Sequence, residues 1–524
     1  MGFIFYFVSI FLLFIVLSLY INDIKKIDKL IFGFALCESV ICILQIFNVL
    51  HLSKTFEITG SSHNPNVTAM FLTLSLISIL RLFQNQKTLH KILIIIAIIL
   101  ILFVIFKLAS RTAFVGLIII AVMLFLKKSS KYKTLIISIL TVIFLVWAIP
   151  KMYEMKQNSA DGRLFVWKVS VNLIENQQIN GCGYGMLQGA YNQFQGEFIE
   201  TQPTTATEKY NAEFIFNLMN DYLELSVSGG IVGGILYLLF LVSIIFYGIK
   251  KRDNQYFALI AVLVFAVMSC FNICFVSPQI MLLFVYNAAI INRQCHCGLD
   301  PQSFENCLRA IAGQARNDTK RMPAMTGIFS FLGVFFLILV SFMVYNQLTF
   351  KQIENNLKVK NINIAKEQVK KSFEFVDNEL FNRFSGDIFF AEKDFEKSKQ
   401  YYQKSLLYVF HPAVLIKMAR CETALQNYKN AESYLKKAAN VQPMLFTPDF
   451  DLMMLYYKTG NIDKAKKAAN RILTKPRKYT SEKIDYYKDI ALKISEFGHN
   501  RAESPIINSA GLCPARIGNQ RRKP

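Results

Sequence analysis

The chain has 524 residues, of which 53% are hydrophobic and only 18% charged, with 46 Phe. A soluble globular protein of this length has no use for so apolar a composition, so that class is excluded and a membrane protein is expected. The formal net charge of +22 raises nucleic acid as a partner, but the charge sits mainly in short loops between apolar runs, where membrane topology accounts for it.

Apolar runs occupy 1–20, 30–50, 65–83, 91–108, 112–126, 134–149, 229–248, 256–276, 279–292 and 325–345. A helix of about 20 residues crosses the hydrocarbon, and a helix satisfies its own backbone there. The runs therefore predict an all-α, polytopic bundle of about ten helices. The first run lacks a basic start and a small-residue cleavage site, so it reads as a spanning helix and not as a signal peptide. Lys25, Lys26 and Lys29, then Arg81, Lys87 and Lys91, then Lys127, Lys128, Lys131 and Lys133, then Lys250, Lys251 and Arg252, and finally Arg293, Arg309, Arg316, Lys320 and Arg321 make every second loop basic. The positive-inside rule places those loops in the cytoplasm. The loop 150–228, the chain after about 346 and the amino terminus then lie outside, which implies an odd number of helices missing upstream.

Polar residues that packing does not explain gather on the outer side. "SRTAF" puts Arg111 at the outer end of a helix, where an arginine can anchor at the interface or hold a ligand. "DGRLFVWKVSV" puts Arg163 and Trp167 four residues apart, on one face of an amphipathic helix lying at the membrane surface. "NGCGYG" supplies Gly181, Gly183 and Gly185 to a tight turn. No strand precedes it, so it is not a dinucleotide fingerprint. "FNLMNDYLELSVSGGIVGG" sets Asn220, Asp221 and Glu224 at the doorway of an apolar run; carboxylates at a helix start are favoured by its dipole. Of the ten cysteines, Cys37, Cys42, Cys270 and Cys274 lie in membrane runs and Cys295 and Cys297 lack zinc spacing. Neither a disulfide framework nor a metal site is indicated, and no soluble cofactor is implied.

These pieces, with Asn64, Pro65 and Asn66 ahead of the third run, resemble the O-antigen ligase and polymerase family of bacterial envelope glycosyl-transfer proteins over roughly residues 60 to 292. Members carry an Asn-Pro-Asn-like element, an Arg after a Ser at a helix end, a Gly-Arg with a Trp four residues on, a Gly-x-Gly-x-Gly turn and a His-Asn-x-Tyr/Phe-Leu element before a Gly-rich helix. Ser110 and Arg111, then Gly162, Arg163 and Trp167, then Gly183, then Asn220, Tyr222 and Leu223 match in that order. The resemblance implies transfer of a polysaccharide from undecaprenyl diphosphate to an acceptor such as lipid A-core, on the outer face of the bacterial inner membrane. It further implies catalytic roles for Arg111, Arg163, Asn220 and Asp221 and substrate contacts by Asn66, Trp167, Gly183, Tyr222 and Glu224. Arginines suit such a leaving group because they grip phosphates bidentately. The family's general-base His is replaced here by Met219, whose thioether takes no proton at neutral pH. Asp221, Glu224 or Glu213 then stands in, or the chain is an inactive scaffold. Members have about twelve helices with the long loop after the ninth; here it follows the sixth, which implies a truncated copy.

Beyond 346 the composition turns to Lys, Glu, Asn and Tyr with helical periodicity. "KDFEKSKQYYQKSL", "QNYKNAESYLKKAA" and "GNIDKAKKAANRIL" align at a separation of about 33 residues and resemble tetratricopeptide repeats, which bind proteins. Phe395, Tyr428 and Ile462 should each pack on a partner helix, and Pro412, Pro443 and Pro476 close the units. Residues 294–323 and the tail have no apolar periodicity and read as inserted, disordered sequence. The expected organisation is transmembrane helices in 1–149, an outer loop with the candidate site in 150–228, further helices in 229–292, an insertion in 293–324, a helix at 325–345, a repeat domain in 346–496 and a tail in 497–524. Expected partners are the lipid-linked glycan, its acceptor, membrane lipid and a protein docked on the repeats, with no nucleic acid. Transport ranks last, because the membrane runs are nearly free of charge.

Overall fold

A computed structural model describes residues 2–20, 23–53, 56–84, 87–127, 150–151, 153–154, 157–177, 180–250, 252–293, 348–373, 379–478 and 480–496. The helices expected at 134–149 and 325–345, the inserted segment from 294 and the tail lie outside those residues. The described chain is helical, as expected from the runs. It forms two compact units, residues 1–187 with 216–303, and residues 188–215 with 304–524. The outer loop expected at 150–228 is thus divided between them.

The first unit contains α1 (Gly2–Tyr20), α2 (Ile24–Ile46), α3 (Pro65–Phe83), α4 (Thr88–Leu108), α5 (Arg111–Leu126) and α6 (Gln157–Gln177). The chain then leaves for α7 (Leu187–Thr201) and α8 (Ala206–Asn211), and returns as α9 (Asp221–Lys250), α10 (Arg252–Ser269) and α11 (Pro278–Arg293). Among the described residues α3, α4 and α9 are long and apolar enough to cross a membrane, and Val8–Ser18, Arg111–Leu126, Gln255–Ser269 and Pro278–Asn292 are shorter apolar helices. The start of α3 follows from local chemistry. Asn64 is extended and its side chain accepts the Asn66 amide at 2.9 Å, while Pro65 takes the first helical position, where no amide hydrogen is needed.

Helix α3 is the hub. One face carries Met70, Leu74 and Ile77 into a core shared with α10 and α11. The other carries Ala69, Leu72, Leu76 and Ile79 against Ala35 and Cys42 of α2 and Ile101, Val104 and Ile105 of α4. Its buried Thr68, Thr73, Ser75 and Ser78 are small enough to let neighbouring helices close in. Helices α4 and α9 instead expose Ile92, Ile96, Ile99, Ile235, Leu236 and Leu239, the surface a lipid would cover.

Arg81, counted above among the basic loop residues, lies in the last turn of α3 and forms a two-pronged pair with the buried Asp28 of α2, at 2.8 Å on each prong. The Tyr286 hydroxyl donates to the same carboxylate at 2.9 Å. A charge taken out of water needs this degree of pairing. At the other end of α2, Glu38 accepts from the Ser61 amide and hydroxyl at 2.8 and 2.7 Å, and Gln45 accepts from the Thr59 and Gly60 amides at 2.9 and 2.8 Å. The connection leading into α3 is thereby strapped to α2.

In the second unit the C-terminal helices form antiparallel hairpins. These are α12 (Ile362–Phe373), α13 (Glu379–Ala391), α14 (Phe395–Tyr408), α15 (Pro412–Ala424), α16 (Tyr428–Val441), α17 (Phe446–Lys458), α18 (Ile462–Thr474) and α19 (Glu482–Glu496). Lys360, Lys393, Gln426 and Gly460 all have positive φ, at intervals of 33, 33 and 34 residues, and each is followed by Asn or Asp and then a helix start. One turn geometry therefore recurs four times, where the aligned strings had marked three. Phe395, Tyr428 and Ile462 each open the second helix of a hairpin. Ala431, Leu435, Ala438, Leu452, Met453, Ala465, Ala468 and Ile472 run as one core through successive hairpins, as stacking repeats require.

Candidate functional site

Four stretches distant in sequence converge in the first unit: the start of α5, the first half of α6, the turn 216–220 with the start of α9, and the connection 270–277 between α10 and α11. Arg111 opens α5 and its guanidinium lies 3.4 Å from the Ser159 hydroxyl in the first turn of α6. Arg163, one turn further along α6, donates to the Phe271 carbonyl at 2.9 Å. Its pKa is lowered by burial and, second, by the positive charge of Arg111. Arg111 is thus tied to the turn of α6 next to the one that carries Arg163. Asn272 ties the connection back to α5 by donating to the Thr112 hydroxyl at 2.7 Å.

Trp167 lies on the same face of α6 as Arg163. Its indole nitrogen donates to the Leu218 carbonyl at 3.2 Å, and its ring packs on Phe271 with centroids 6.1 Å apart. The Leu218 amide donates to Glu224 at 3.2 Å. Leu218 is thus gripped at both ends of its peptide. The next residue, Met219, is 37% exposed and has φ of 52°, a left-handed conformation uncommon for a side-chain-bearing residue. The side chain that replaces the expected histidine therefore stands on a held turn beside Trp167. Asn220 then starts α9 by accepting the Leu223 amide at 3.1 Å.

Asp221 is 1% exposed. Its carboxylate accepts the backbone amides of Cys274 at 3.0 Å and Phe275 at 3.2 Å. Tyr222 donates to the Ala266 carbonyl at 3.0 Å, and its ring lies 5.1 Å from that of Tyr237. Both residues pin α9 to α10 and to the 270–277 connection. Glu213 pairs with Lys478 in the second unit at 2.9 Å, and Glu224 accepts the amide of Leu218, next to position 219.

The glycine turn has a definite task. Helix α9 breaks at Gly230, where φ is 69° and ψ −177°. A broken helix frees carbonyl groups that a membrane cannot hydrate. The Cys182 amide donates to the Val227 carbonyl and the Gly183 amide to the Ser228 carbonyl, both at 2.9 Å. Gly181 lies so close that an added Cβ would meet the Gly230 nitrogen at 2.3 Å. The turn thus seals the break and fixes the short helical segment that carries Asn220, Asp221 and Glu224. Asn66 lies in the first turn of α3, its amide bonded to the Asn64 side chain.

Arg111, Arg163, Trp167, Asn220 and Glu224 are brought together, and Gly183 supports them through α9. The 270–277 connection was not anticipated. Asn272 inside an otherwise apolar run was the one signal that could have marked it. Residues 96–238 match the O-antigen ligase family model. No curated protein matches the chain. The matched span contains Arg111, Arg163, Trp167, the glycine turn and the start of α9, and so supports a membrane protein of O-antigen ligase or polymerase type.

Proposed function

We propose that the chain transfers a glycan from undecaprenyl diphosphate to an acceptor, lipid A-core or another glycan, on the periplasmic face of the bacterial inner membrane. The observation that carries this reading is the placement of two arginines, with Arg111 hydrogen-bonded to Ser159 in the first turn of α6 and Arg163 one turn further along the same helix. Two like charges held near one another are unfavourable, and a bound diphosphate removes that cost. In the reaction the acceptor hydroxyl oxygen attacks the anomeric carbon and the bond from that carbon to the diphosphate oxygen breaks. Undecaprenyl diphosphate departs with the electron pair, its charge held by the two guanidinium groups. The hydroxyl proton passes to Glu224, the carboxylate nearest the turn at 219. The hairpins at 33-residue spacing are read as tetratricopeptide repeats on the same, periplasmic side.

Met219 favours a second reading, a non-catalytic scaffold. One genetic experiment separates the two. Deleting the gene and examining the surface polysaccharide on a gel should remove capped lipopolysaccharide if the chain ligates, or leave single-repeat products if it polymerises. Complementation should succeed with the parent chain and with Met219→His, at equal or higher capping, and fail with Arg163→Ala. An unchanged ladder on deletion, or full complementation by the Arg111→Ala, Arg163→Ala double variant, sinks the transferase reading.

A further inference from the structure

The segment 188–215, cut out of the site-bearing unit, folds against the repeats. Its contacts fall at one recurring place, the end of the second helix in successive hairpins. Helix α7 approaches the end of α14 at Gly189, where a Cβ would meet the Leu407 and Tyr408 carbonyl oxygens at 2.9 and 3.0 Å. It approaches the end of α16 at Gly196, where a Cβ would lie 3.1 Å from Val441. Gln195 donates to the Val441 carbonyl at 2.7 Å, and Asn440 donates to Glu200 at 3.2 Å. Two helical turns separate the glycines, an advance of about 10 Å, close to the distance between packed helices. One glycine therefore meets each of two successive repeats.

The return path uses the same edge. Beyond α18, Lys478 pairs with Glu213 at 2.9 Å, donates to the Tyr210 carbonyl at 2.9 Å and lies 4.8 Å from the Tyr210 ring centroid. The Phe214 ring lies 4.4 Å from that of His411, just past α14. Asn192 of α7 then closes the loop on itself, bonding the amide and the carbonyl of Ile215, both at 3.0 Å. Ile215 is followed after two residues by Leu218, whose peptide Trp167 and Glu224 hold.

We infer that the repeats serve as a clamp in cis. Their hairpin ends are a binding edge for residues 188–215 of the same chain, and Lys478 anchors the end of that segment. The edge is consequently closed to any outside peptide, and a protein partner must use another face. The clamp is a matter of structure and is tested independently of the transfer reaction.

The full-length chain in lipid nanodiscs is followed by hydrogen exchange with mass spectrometry. Gly189→Leu favours α7 as a helix but wedges it off the Leu407 and Tyr408 carbonyls. Lys478→Glu opposes Glu213. Each should speed exchange in 188–215 by about tenfold or more while leaving 428–441 unchanged. Adding Glu213→Lys to Lys478→Glu should restore the parent rates to within about threefold. Unchanged exchange in 188–215 in both variants overturns the clamp.

Discussion

Replacing Gly181 and Gly183 by Ala, one at a time, separates two costs that a sequence motif merges. Both glycines have positive φ, 64° and 89°, so each substitution incurs roughly 1–2 kcal/mol of left-handed backbone strain. At Gly183 nothing lies within 4 Å of the added carbon, and the cost ends there. At Gly181 the new Cβ meets the Gly230 nitrogen at 2.3 Å and the Val227 and Ser228 carbonyl oxygens at 2.7 Å. Those atoms are backbone and cannot swing aside, so the turn must lift. The bonds from Cys182 and Gly183 to those two carbonyls are then lost, at about 1–3 kcal/mol for each group left dry. Gly181→Ala should therefore cost about 3 kcal/mol more than Gly183→Ala, a further fall in Tm of roughly 6–12 °C for a unit of this size. Thermal unfolding in detergent, with exchange at the Gly230 amide as a local readout, measures both. Equal melting temperatures would refute the assignment of the turn to the break in α9.

Asp221 separates support from proton transfer. Asp221→Ala strands the Cys274 and Phe275 amides and should destabilise the membrane unit by about 2–5 kcal/mol, whereas Asp221→Asn keeps an acceptor oxygen and should cost about 1 kcal/mol with transfer largely retained. Loss of transfer in a well-folded Asn variant would instead make Asp221 the proton acceptor. In the repeat unit, His411 has a pKa lowered to about 4 by burial and then by the charges of Arg383 and Lys417, and its Nδ1 accepts the Ala413 amide at 3.0 Å, which requires that nitrogen unprotonated. The unfolded chain takes the proton more readily, so His411 contributes full stability above about pH 6.5 and loses it as pH falls towards 4. The loss is at most about 3 kcal/mol. Exchange in 395–441 measured from pH 7 to 4.5 should show this loosening, and replacing His411 by Asn, which keeps an acceptor, should flatten it.

The membrane helices were legible because their signal is local. A run such as 65–83 is long and apolar, and Asn64 and Pro65 mark its start in a way that depends only on adjacent residues. The hairpin turns were legible by recurrence, although the unit opening at Lys360 was missed because its strings diverge while its backbone geometry does not. Arg81 was read as a loop cation because Asp28, its partner, is 53 residues away, and no spacing rule joins them. The break in α9 was hidden among Gly229, Gly230, Gly233 and Gly234, any of which could have carried it. The backbone amides of Cys274 and Phe275 that Asp221 accepts leave no trace in a sequence. The docking of 188–215 was invisible for a similar reason. It rests on two small residues, one ion pair and main-chain groups, none of which forms a periodic pattern.

The most direct measurement is the affinity of the chain in nanodiscs for undecaprenyl diphosphate, in the parent, in Arg111→Ala, in Arg163→Ala and in the double variant. A shared diphosphate site predicts that each single change weakens binding by about tenfold or more, and that the double change weakens it by clearly less than the product of the two. Binding unaltered by either substitution, or two losses that simply multiply, would contradict a common pocket.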